Sequence, residues 1–299
     1  MTNKVRKPKS FGIWGNTDKP RFWELLDPIM VWAAEMNLTP FLTTRIQSQL
    51  PDGFSHEFRI IESAEDFFQI DFLLTLGGDG TMLSAARAVG HRKTPILGVH
   101  LGELGFMAEV TVSEMFDRLN MVASGAYSLQ RRMVLKAEII NGNGPTVFYA
   151  LNDFVIDRGR SQRIITIRLL SNDHFVSDYK ADGLIIATPT GSTAYSLSVG
   201  GPIVMPRLKA IVVSPISPHT LTHRPIVLPN DRNLEISFPE DEVENIAFAV
   251  DGQVSEYLHP QDKIFIQRAP FEIRMIDFKD SNYFQTLRRK MGWGKRGES

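Results

Sequence analysis

Apolar residues in the first 127 positions follow two alternating spacings. Short, largely apolar runs, typical of parallel strands covered on both faces, lie at residues 10–15, 40–43, 71–76 and 95–99. Between these runs, apolar residues recur at helical spacing from 22 to 36, and further helices are predicted at residues 81–89 and 112–123. The alternation of strands and helices predicts an α/β domain with a doubly wound parallel sheet.

The pattern changes at about residue 128, where short runs typical of strands follow one another with few helices between them. Turn-forming pairs such as Asn172-Asp173 and Asp251-Gly252 separate these runs. The predicted strands are residues 134–140, 147–157, 164–170, 184–188, 211–213, 233–238, 246–250 and 263–268. This part of the chain is therefore predicted to be β-rich, with strands packed on strands as in a sandwich.

These two patterns divide the chain into four predicted segments. We expect a disordered basic arm at residues 1–9, the α/β domain at 10–127 and the β-rich domain at 128–275. Residues 276–299 are predicted to form a C-terminal segment that returns to the first domain, with a helix near its start. The sequence contains no internal repeat and no low-complexity stretch.

Composition narrows the class of protein further. Apolar residues make up 43% of the 299 residues and charged residues 22%, as in a globular protein with a full core. The net charge of -1 gives no reason to expect nucleic acid or an anionic membrane as a partner. The chain has no cysteine, which excludes disulfides and cysteine zinc sites, and we expect a cytoplasmic location.

The most informative motif is a glycine-rich turn at residues 77–81, between a predicted buried strand and a predicted helix. Gly77, Gly78 and Gly80 let backbone N–H groups approach a ligand, and a helix N-terminus adds its own N–H groups and positive dipole. These features predict a phosphate cradle. Asp79 is unusual there, because a carboxylate repels phosphate unless it holds a metal or takes a proton from an attacking hydroxyl. The alternative is a tight turn in which Asp79 only caps the helix.

Other kinds of site have less support in the sequence. Residues 77–81 match neither Gly-x-Gly-x-x-Gly nor the P-loop, which disfavours an ordinary dinucleotide dehydrogenase or a P-loop ATPase. No Gly-x-Ser-x-Gly elbow is present to support Ser-His-Asp hydrolysis. His219 and His223 are four residues apart, but prolines flank them and no third ligand is near, so a packed or exposed pair is favoured over a zinc site.

A second motif is a hydroxyl-rich loop at residues 188–198. Pro189 and Gly191 make its backbone irregular, and its hydroxyl groups could bind ribose hydroxyls and an adenine edge. The alternative is a turn whose side chains bond their own backbone. The six hydroxyl residues are Thr188, Thr190, Ser192, Thr193, Tyr195 and Ser196.

With these motifs in place, the chain resembles the NAD kinase family. The Gly-Gly-Asp-Gly-Thr turn is shared with lipid kinases and phosphofructokinases, so the choice depends on other segments. Those segments occur in the order typical of NAD kinases and are Leu104-Gly105-Phe106, Leu151-Asn152-Asp153, Asp182-Gly183, residues 187–196, Gly200-Gly201-Pro202, Pro218-His219-Thr220-Leu221 and Arg224-Pro225. The resemblance extends from about residue 12 to residue 253.

The resemblance implies transfer of the ATP γ-phosphoryl group, with Mg²⁺, to the 2′-hydroxyl of the adenosine ribose of NAD, at the junction of the two domains. Asp79 would be the general base. The phosphate cradle would be the backbone of Gly77, Gly78, Gly80 and Thr81. The residues implied to bind NAD are Asp79, Gly80, Asn152, Asp153, Arg163, Lys180, Asp182, Thr193, Ala194, Tyr195, Ser196, Leu197, Ser198 and Gln253. For Gln253, a place in an ordinary hairpin turn is equally open.

The chain also departs from the family pattern at two positions. Asp153 stands where the family more often has Glu, and His100 stands where it usually has Asn. We expect no metal site made by protein residues alone, and a homodimer or homotetramer follows from the resemblance only. The rival functions are a lipid kinase, which needs an apolar channel or membrane-facing surface, and a dinucleotide sensor without catalysis.

Overall fold

The computed structural model describes residues 7–141, 144–161, 163–239 and 246–293, with the backbone alone at 254 and 255. Most of the predicted basic arm and the end of the C-terminal segment lie outside these described residues. The chain divides into two compact units. Unit 1 consists of Met1–Arg131 and Ile273–Ser299, and unit 2 of Arg132–Glu272.

The described residues form six α-helices and eighteen strands. In chain order the helices are α1 (Pro20–Glu35), α2 (Thr44–Gln47), α3 (Asp79–Val89), α4 (Met115–Ser124), α5 (Tyr195–Ser198) and α6 (Tyr283–Met291). The strands are β1 (Ser10–Gly15), β2 (Thr39–Thr43), β3 (Arg59–Ile61), β4 (Phe72–Gly77), β5 (Ile96–His100), β6 (Val110–Thr111), β7 (Ser128–Asn141), β8 (Gly144–Ala150), β9 (Asp153–Asp157), β10 (Ile165–Ser171), β11 (His174–Ala181), β12 (Gly183–Ala187), β13 (Ala210–Ile216), β14 (Ile226–Pro229), β15 (Leu234–Ser237), β16 (Ile246–Val250), β17 (Val254–Leu258) and β18 (Lys263–Asp277). Within the described ranges, no helix has the length and apolar character needed to cross a membrane.

Unit 1 is an α/β domain on a parallel sheet, as predicted. The strand order is β5-β4-β1-β2-β3, and β18 runs parallel beside β5. The apolar face of α1, which includes Phe22 and Ile29, belongs to the same core cluster as side chains of β1 and β4. The sheet register places Gly77 beside His100 at the carboxyl ends of β4 and β5. Ligands of open α/β sheets bind at this end of the strands, so the fold positions the glycine turn for binding.

Unit 2 is β-rich and its strands are antiparallel, which confirms the prediction for this half of the chain. Six strands pair in the order β14-β13-β12-β9-β16-β17, and a second set pairs as β11-β10-β15-β18. Phe154 of β9, Ile167 of β10 and Ile264 of β18 lie in one buried core cluster. The apolar sides of both sets therefore share a core, as in a sandwich.

Five strands were not predicted from the sequence, and two others were predicted as one. The run predicted at residues 147–157 is two strands, β8 and β9, separated at residues 151 and 152. Of the missed strands, β3, β11, β14 and β17 each lie at an end of a sheet. An edge strand buries less of its surface, so β11, with the sequence HFVSDYKA, carries too little apolar pattern to be recognised.

Candidate functional site

The glycine turn joins β4 to α3 and leaves open space above its backbone. A Cβ atom on Gly78 or Gly80 would meet no atom within 4 Å, whereas one on Gly77 would lie 2.2 Å from Oγ1 of Thr81. None of the three glycines has a positive φ angle. Unusual backbone angles therefore do not require glycine in this turn, and close packing inside the protein requires it only at Gly77. The open side at Gly78 and Gly80 is suited to a phosphate-sized ligand.

Asp79 does not cap the helix that it begins. The N-cap residue of α3 is Gly78, and it makes no side-chain cap. The Asp79 carboxylate instead accepts hydrogen bonds from three consecutive backbone N–H groups, those of Phe106 (2.8 Å, to Oδ2), Met107 (3.0 Å, to Oδ1) and Ala108 (3.3 Å, to Oδ1). The alternative of a simple capping residue is therefore wrong, and Asp79 ties the glycine turn to the loop that follows β5.

This arrangement leaves Asp79 able to accept one more hydrogen bond. A carboxylate has about four acceptor positions, two on each oxygen. Within the described part of the chain, Oδ1 has two N–H partners and Oδ2 has one. Oδ2 is consequently the atom that can accept the proton of a ligand hydroxyl. Gly105 makes the close packing of this loop possible, because a Cβ atom there would lie 2.0 Å from Oδ1 of Asp79.

A cavity of about 610 Å³ opens in unit 1 beside the same turn. We call it the unit 1 cavity. Gly80, Thr81 and Ser84 line it from the start of α3, and Asn16 and Arg45 line it from the segments after β1 and β2. Its volume is in the range of small-molecule sites. The cavity is thus polar: the carboxyl ends of parallel strands and the start of α3 line it, together with Arg45 and the carboxylates of Asp18 and Glu62.

In unit 2, the Asn152-Asp153 pair lies where the chain passes from β8 to β9. The carboxylate of Asp251 accepts hydrogen bonds from the backbone N–H groups of Leu151 (3.1 Å), Asn152 (2.7 Å) and Asp153 (3.2 Å). On the carbonyl side, Thr188 donates its N–H to Asn152 O (2.8 Å) and its hydroxyl to Leu151 O (2.6 Å). The hydroxyl-rich loop and the Asn152-Asp153 pair therefore belong to one hydrogen-bonded cluster.

Asp153 is a buried carboxyl group, with only 3% of its surface exposed. Burial, and after it the negative charge of Asp251, raise the pKa of Asp153 from 3.8 to about 7. Both effects disfavour the charged form. Near neutral pH this side chain can therefore act as a hydrogen-bond donor or an acceptor.

We expect Asp153→Asn to remove a pH-dependent loss of stability. Between about pH 4 and pH 7 the folded protein keeps a proton that the unfolded chain releases, so wild-type stability falls as pH rises through this window. At about 1.4 kcal/mol per pKa unit, the variant gains on the order of 2–4 kcal/mol relative to wild type when pH is raised from about 4 to about 8. Thermal unfolding at the two pH values measures this difference. Asp157→Asn, at the other end of β9, is the control, and an equal effect of Asp153→Asn at both pH values would contradict the prediction.

Within the hydroxyl-rich loop, most hydroxyl groups bond to the protein itself. Ser192, which is fully buried, donates to Pro189 O (2.7 Å), and Ser196 Oγ lies 2.9 Å from Ser214 Oγ. Thr193 donates to Thr190 O (3.2 Å). These side chains therefore fit the alternative given above, a turn whose hydroxyl groups form hydrogen bonds within the protein. Tyr195 is different, because 45% of its surface is exposed, and Ser198 is also exposed while Ala194 and Leu197 are half-buried.

The other residues implied to bind a ligand occupy varied positions in unit 2. Arg163 and Lys180 are exposed, and Asp182 forms an ion pair with Arg158 (Nε to Oδ1, 2.9 Å). Gln253 is exposed beyond the Asp251-Gly252 turn, whose two residues have φ angles of 50° and 62° and so form a tight hairpin turn.

The histidines singled out by the sequence make local contacts. His223 Nε2 lies 3.1 Å from Ser177 Oγ, and the His223 ring packs on Tyr179 with centroids 4.8 Å apart. His100 donates its Nδ1 proton to Gly102 O (2.7 Å) beside the glycine turn. Across the described ranges, no group of three or more His, Asp or Glu side chains could hold a metal ion.

The contacts of two residues, Gly105 and Asp251, were not predictable from the sequence. Gly105 was part of a recognised segment, but its contact with Asp79 spans 26 residues of chain and has no local pattern. Asp251 was assigned only to a hairpin turn, and its bonds to residues 151–153 span about a hundred residues. An Asp-Gly turn signals a hairpin, and nothing in the turn itself indicates that its carboxylate is buried.

Comparison with known proteins gives consistent matches over most of the chain. Residues 33–127 match the family model for the ATP-NAD kinase N-terminal domain, and residues 151–278 match that for the C-terminal domain. The NAD kinase of Geotalea daltonii is 38% identical over 289 residues, covering 96% of this chain and 100% of the relative. That of Caldanaerobacter subterraneus is 37% identical over 284 residues, covering 95% and 99%.

Two solved structures are similar to this chain as well. Yeast NADH kinase complexed with NADH superposes with a TM-score of 0.90 at 25% identity, over 98% of this chain and 90% of the yeast chain. An NAD kinase from Archaeoglobus fulgidus in complex with ATP has a TM-score of 0.74 at 22% identity, over 95% of this chain and 98% of that chain. The second structure shares the fold of this chain.

Proposed function

This chain belongs to the NAD kinase family, and from that premise we propose that it transfers the γ-phosphoryl group of ATP to the 2′-hydroxyl of the adenosine ribose of NAD. The observation that carries the catalytic part of the proposal is the position of Asp79. Its carboxylate stands at a glycine turn with open space above Gly78 and Gly80, and Oδ2 can accept one more hydrogen bond. A general base must have a free acceptor within reach of the proton that it removes.

The reaction requires that the 2′-hydroxyl oxygen attack the γ-phosphorus while its proton moves to a base. We assign that proton to Oδ2 of Asp79, and the bond between the γ-phosphorus and the β–γ bridging oxygen breaks as the new P–O bond forms, leaving ADP. The three N–H groups of residues 106–108 hold the carboxylate in place during this step. The backbone N–H groups at the start of α3 stabilise the negative charge of the phosphoryl oxygens.

We place ATP in the unit 1 cavity. Gly80 and Thr81 of the glycine turn line the cavity, so a triphosphate lying there would approach the start of α3. Arg45 supplies positive charge beside the carboxylates of Asp18 and Glu62, which Mg²⁺ would help to offset. Mg²⁺ is part of this proposal, and it would neutralise charge on the triphosphate. We expect the ion to be bound mainly through phosphate oxygens and water.

We place NAD on the residues that the family resemblance implies. The exposed ring of Tyr195 is available to stack on a base, and Asn152 and Asp153 are held in one cluster with the hydroxyl-rich loop. Ser196 would take part through its backbone, since its hydroxyl is fully buried against Ser214.

A cytoplasmic location and a homodimer or homotetramer are further parts of the proposal. Cell fractionation tests the location, and light scattering tests the oligomeric state.

The direct test is formation of NADP from NAD, ATP and Mg²⁺ by the purified protein. NADH, diacylglycerol and sphingosine serve as competing acceptors in parallel assays. We expect phosphorylation of the dinucleotide and none of the lipids. Binding of NAD without any NADP would contradict the proposal and favour a dinucleotide sensor, and phosphorylation of a lipid alone would favour a lipid kinase.

We expect Arg45→Ala to raise the KM for ATP about tenfold, because a hydrogen bond to a charged group contributes about 1.5–3 kcal/mol. The KM for NAD should stay within twofold. Arg45 also bonds Asp18 (3.0 Å) in an exposed pair, so the loss of stability should be small. Steady-state kinetics with each substrate varied in turn checks the result. Arg59→Ala, on the neighbouring strand and outside the cavity lining, is the control, and equal effects of the two variants would contradict the placement of ATP.

A further inference from the structure

The short passage from β8 to β9 in unit 2 is held by hydrogen bonds to a single carboxylate. Leu151, Asn152 and Asp153 present three consecutive N–H groups, and all three donate to the carboxylate of Asp251 at 2.7–3.2 Å. In return, the Asp251 N–H donates to Asp153 O (3.0 Å). Successive N–H groups that converge on one anion form an anion-binding concavity. Here a side chain of the same unit supplies the anion.

The opposite side of this passage is also fixed. Thr188 donates hydrogen bonds to the carbonyl groups of Leu151 and Asn152, and Gly191 packs so closely that a Cβ atom would lie 2.2 Å from Asn152 O. Thr188 is fully buried and Asp251 is 8% exposed. Residues 151–153 are therefore held between a buried carboxylate and a buried threonine, and little freedom remains in the direction of the side chains that they carry.

We propose that Asp251 is a positioning residue of the dinucleotide site: its carboxylate fixes the backbone of residues 151–153 and thereby aims the side chains of Asn152 and Asp153. The inference rests on the proposed function, in which those two side chains bind NAD. Asp251 acts through the backbone of residues 151–153, which we assign to NAD and not to ATP. Its effect should therefore fall on one substrate only.

The charge of Asp251 adds a second, measurable consequence. It stands beside Asp153 and helps to raise the pKa of that carboxyl group. An uncharged residue at position 251 should let Asp153 ionise at lower pH, so the pH dependence of NAD binding should move toward acid. This midpoint therefore reports the charge of Asp251 at Asp153, and the NAD affinity at a fixed protonation state reports its effect through the backbone.

The test compares Asp251→Asn with wild type and with Asp173→Asn. Asparagine tolerates the left-handed backbone of position 251, where φ is 50°, so the turn survives while the charge and one acceptor oxygen are lost. Asp173 is the matched control, because it occupies a turn of the same kind, with φ of 63°, and its side chain is exposed. NAD affinity is measured by calorimetry across a pH series, and KM for NAD and for ATP by initial rates.

We expect Asp251→Asn to raise the Kd and the KM for NAD at least about tenfold, since small displacements of binding groups have effects of this size. The KM for ATP should stay within twofold, and Asp173→Asn should match wild type. If Asp251→Asn does not fold, Asp251→Glu, which keeps the charge but displaces it by one methylene, should show the same loss of NAD affinity. Unchanged NAD affinity, or a parallel loss for NAD and ATP, would overturn the inference.

The same measurements separate the two proposals. If wild type binds NAD and forms no NADP, the proposed function fails, and a weaker NAD affinity in Asp251→Asn would still support the positioning role. If wild type forms NADP and Asp251→Asn binds NAD normally, the positioning role fails and the proposed function stands.

Discussion

Asp79→Asn is expected to lower the turnover number for NADP formation at least about 100-fold, the usual scale for loss of a general base. Asparagine keeps the shape of the side chain and one oxygen that can still accept hydrogen bonds from the N–H groups of Met107 and Ala108, while the bond from Phe106 is lost. It cannot take the proton of the 2′-hydroxyl. NAD affinity, measured by calorimetry, should therefore stay within a few-fold of wild type while turnover falls.

The control for this variant is Asp71→Asn in the same unit. Asp71 also anchors backbone, because its Oδ2 accepts N–H bonds from Lys9 (2.7 Å) and Ser10 (3.1 Å) at the end of β4 that is opposite the glycine turn. Its loss should lower the melting temperature and leave turnover close to wild type. Full turnover in Asp79→Asn would remove Asp79 from the chemistry, and equal losses in the two variants would reduce its role to anchoring.

Gly105→Ala is expected to have the second largest effect, a fall in turnover of about 10- to 100-fold. The added Cβ atom would lie 2.0 Å from Oδ1 of Asp79, so either the carboxylate or the loop must move. Displacing a catalytic group by about 1 Å can cost a factor of this size. The φ angle of Gly105 is not positive, so strain in the backbone does not contribute. Initial-rate kinetics and thermal unfolding together measure the effect.

Gly102→Ala, three residues earlier in the same loop, is the matched control. Its Cβ atom would meet nothing within 4 Å, and its φ angle is not positive either, so activity should be unchanged. If Gly105 acts through Asp79, the double variant with Asp79→Asn should be little worse than Asp79→Asn alone. Equal effects at the two glycines, or fully additive effects in the double variant, would contradict this account.

The fold was predictable where burial imposes a pattern on the sequence. Every residue of β4 is buried, and its sequence is a short, largely apolar run. The helix α1 buries one face, and its apolar residues recur at helical spacing. The edge strands showed no such pattern, because side chains such as those of β11 face water for much of their length. The break at residues 151 and 152 was also missed, since Leu151 continues the apolar run while the hydrogen bonds that end β8 come from distant residues.

The candidate site was likewise predictable only in its local motifs, and not in the contacts between them. Local chemistry singled out the glycine turn and the hydroxyl-rich loop, because each places unusual residue types in one short segment. The local sequence could not show which distant residues form hydrogen bonds with these motifs. That Asp79 binds residues 106–108 and that Asp251 binds residues 151–153 depends on contacts between segments far apart in the chain. The contact between Ser196 of α5 and Ser214 of β13 could not be predicted for the same reason.

The division of unit 1 into two stretches of chain has a consequence for biosynthesis. Ile276 and Phe278 belong to the same core as β1 and α1, and Leu287 of α6 is buried, yet all three are translated after the whole of unit 2. Domains generally fold as they emerge from the ribosome, beginning with the N-terminal one. The core of unit 1 is therefore incomplete until Ile276 and Phe278 have been synthesised, after the whole of unit 2, so unit 2 can finish folding first on the nascent chain.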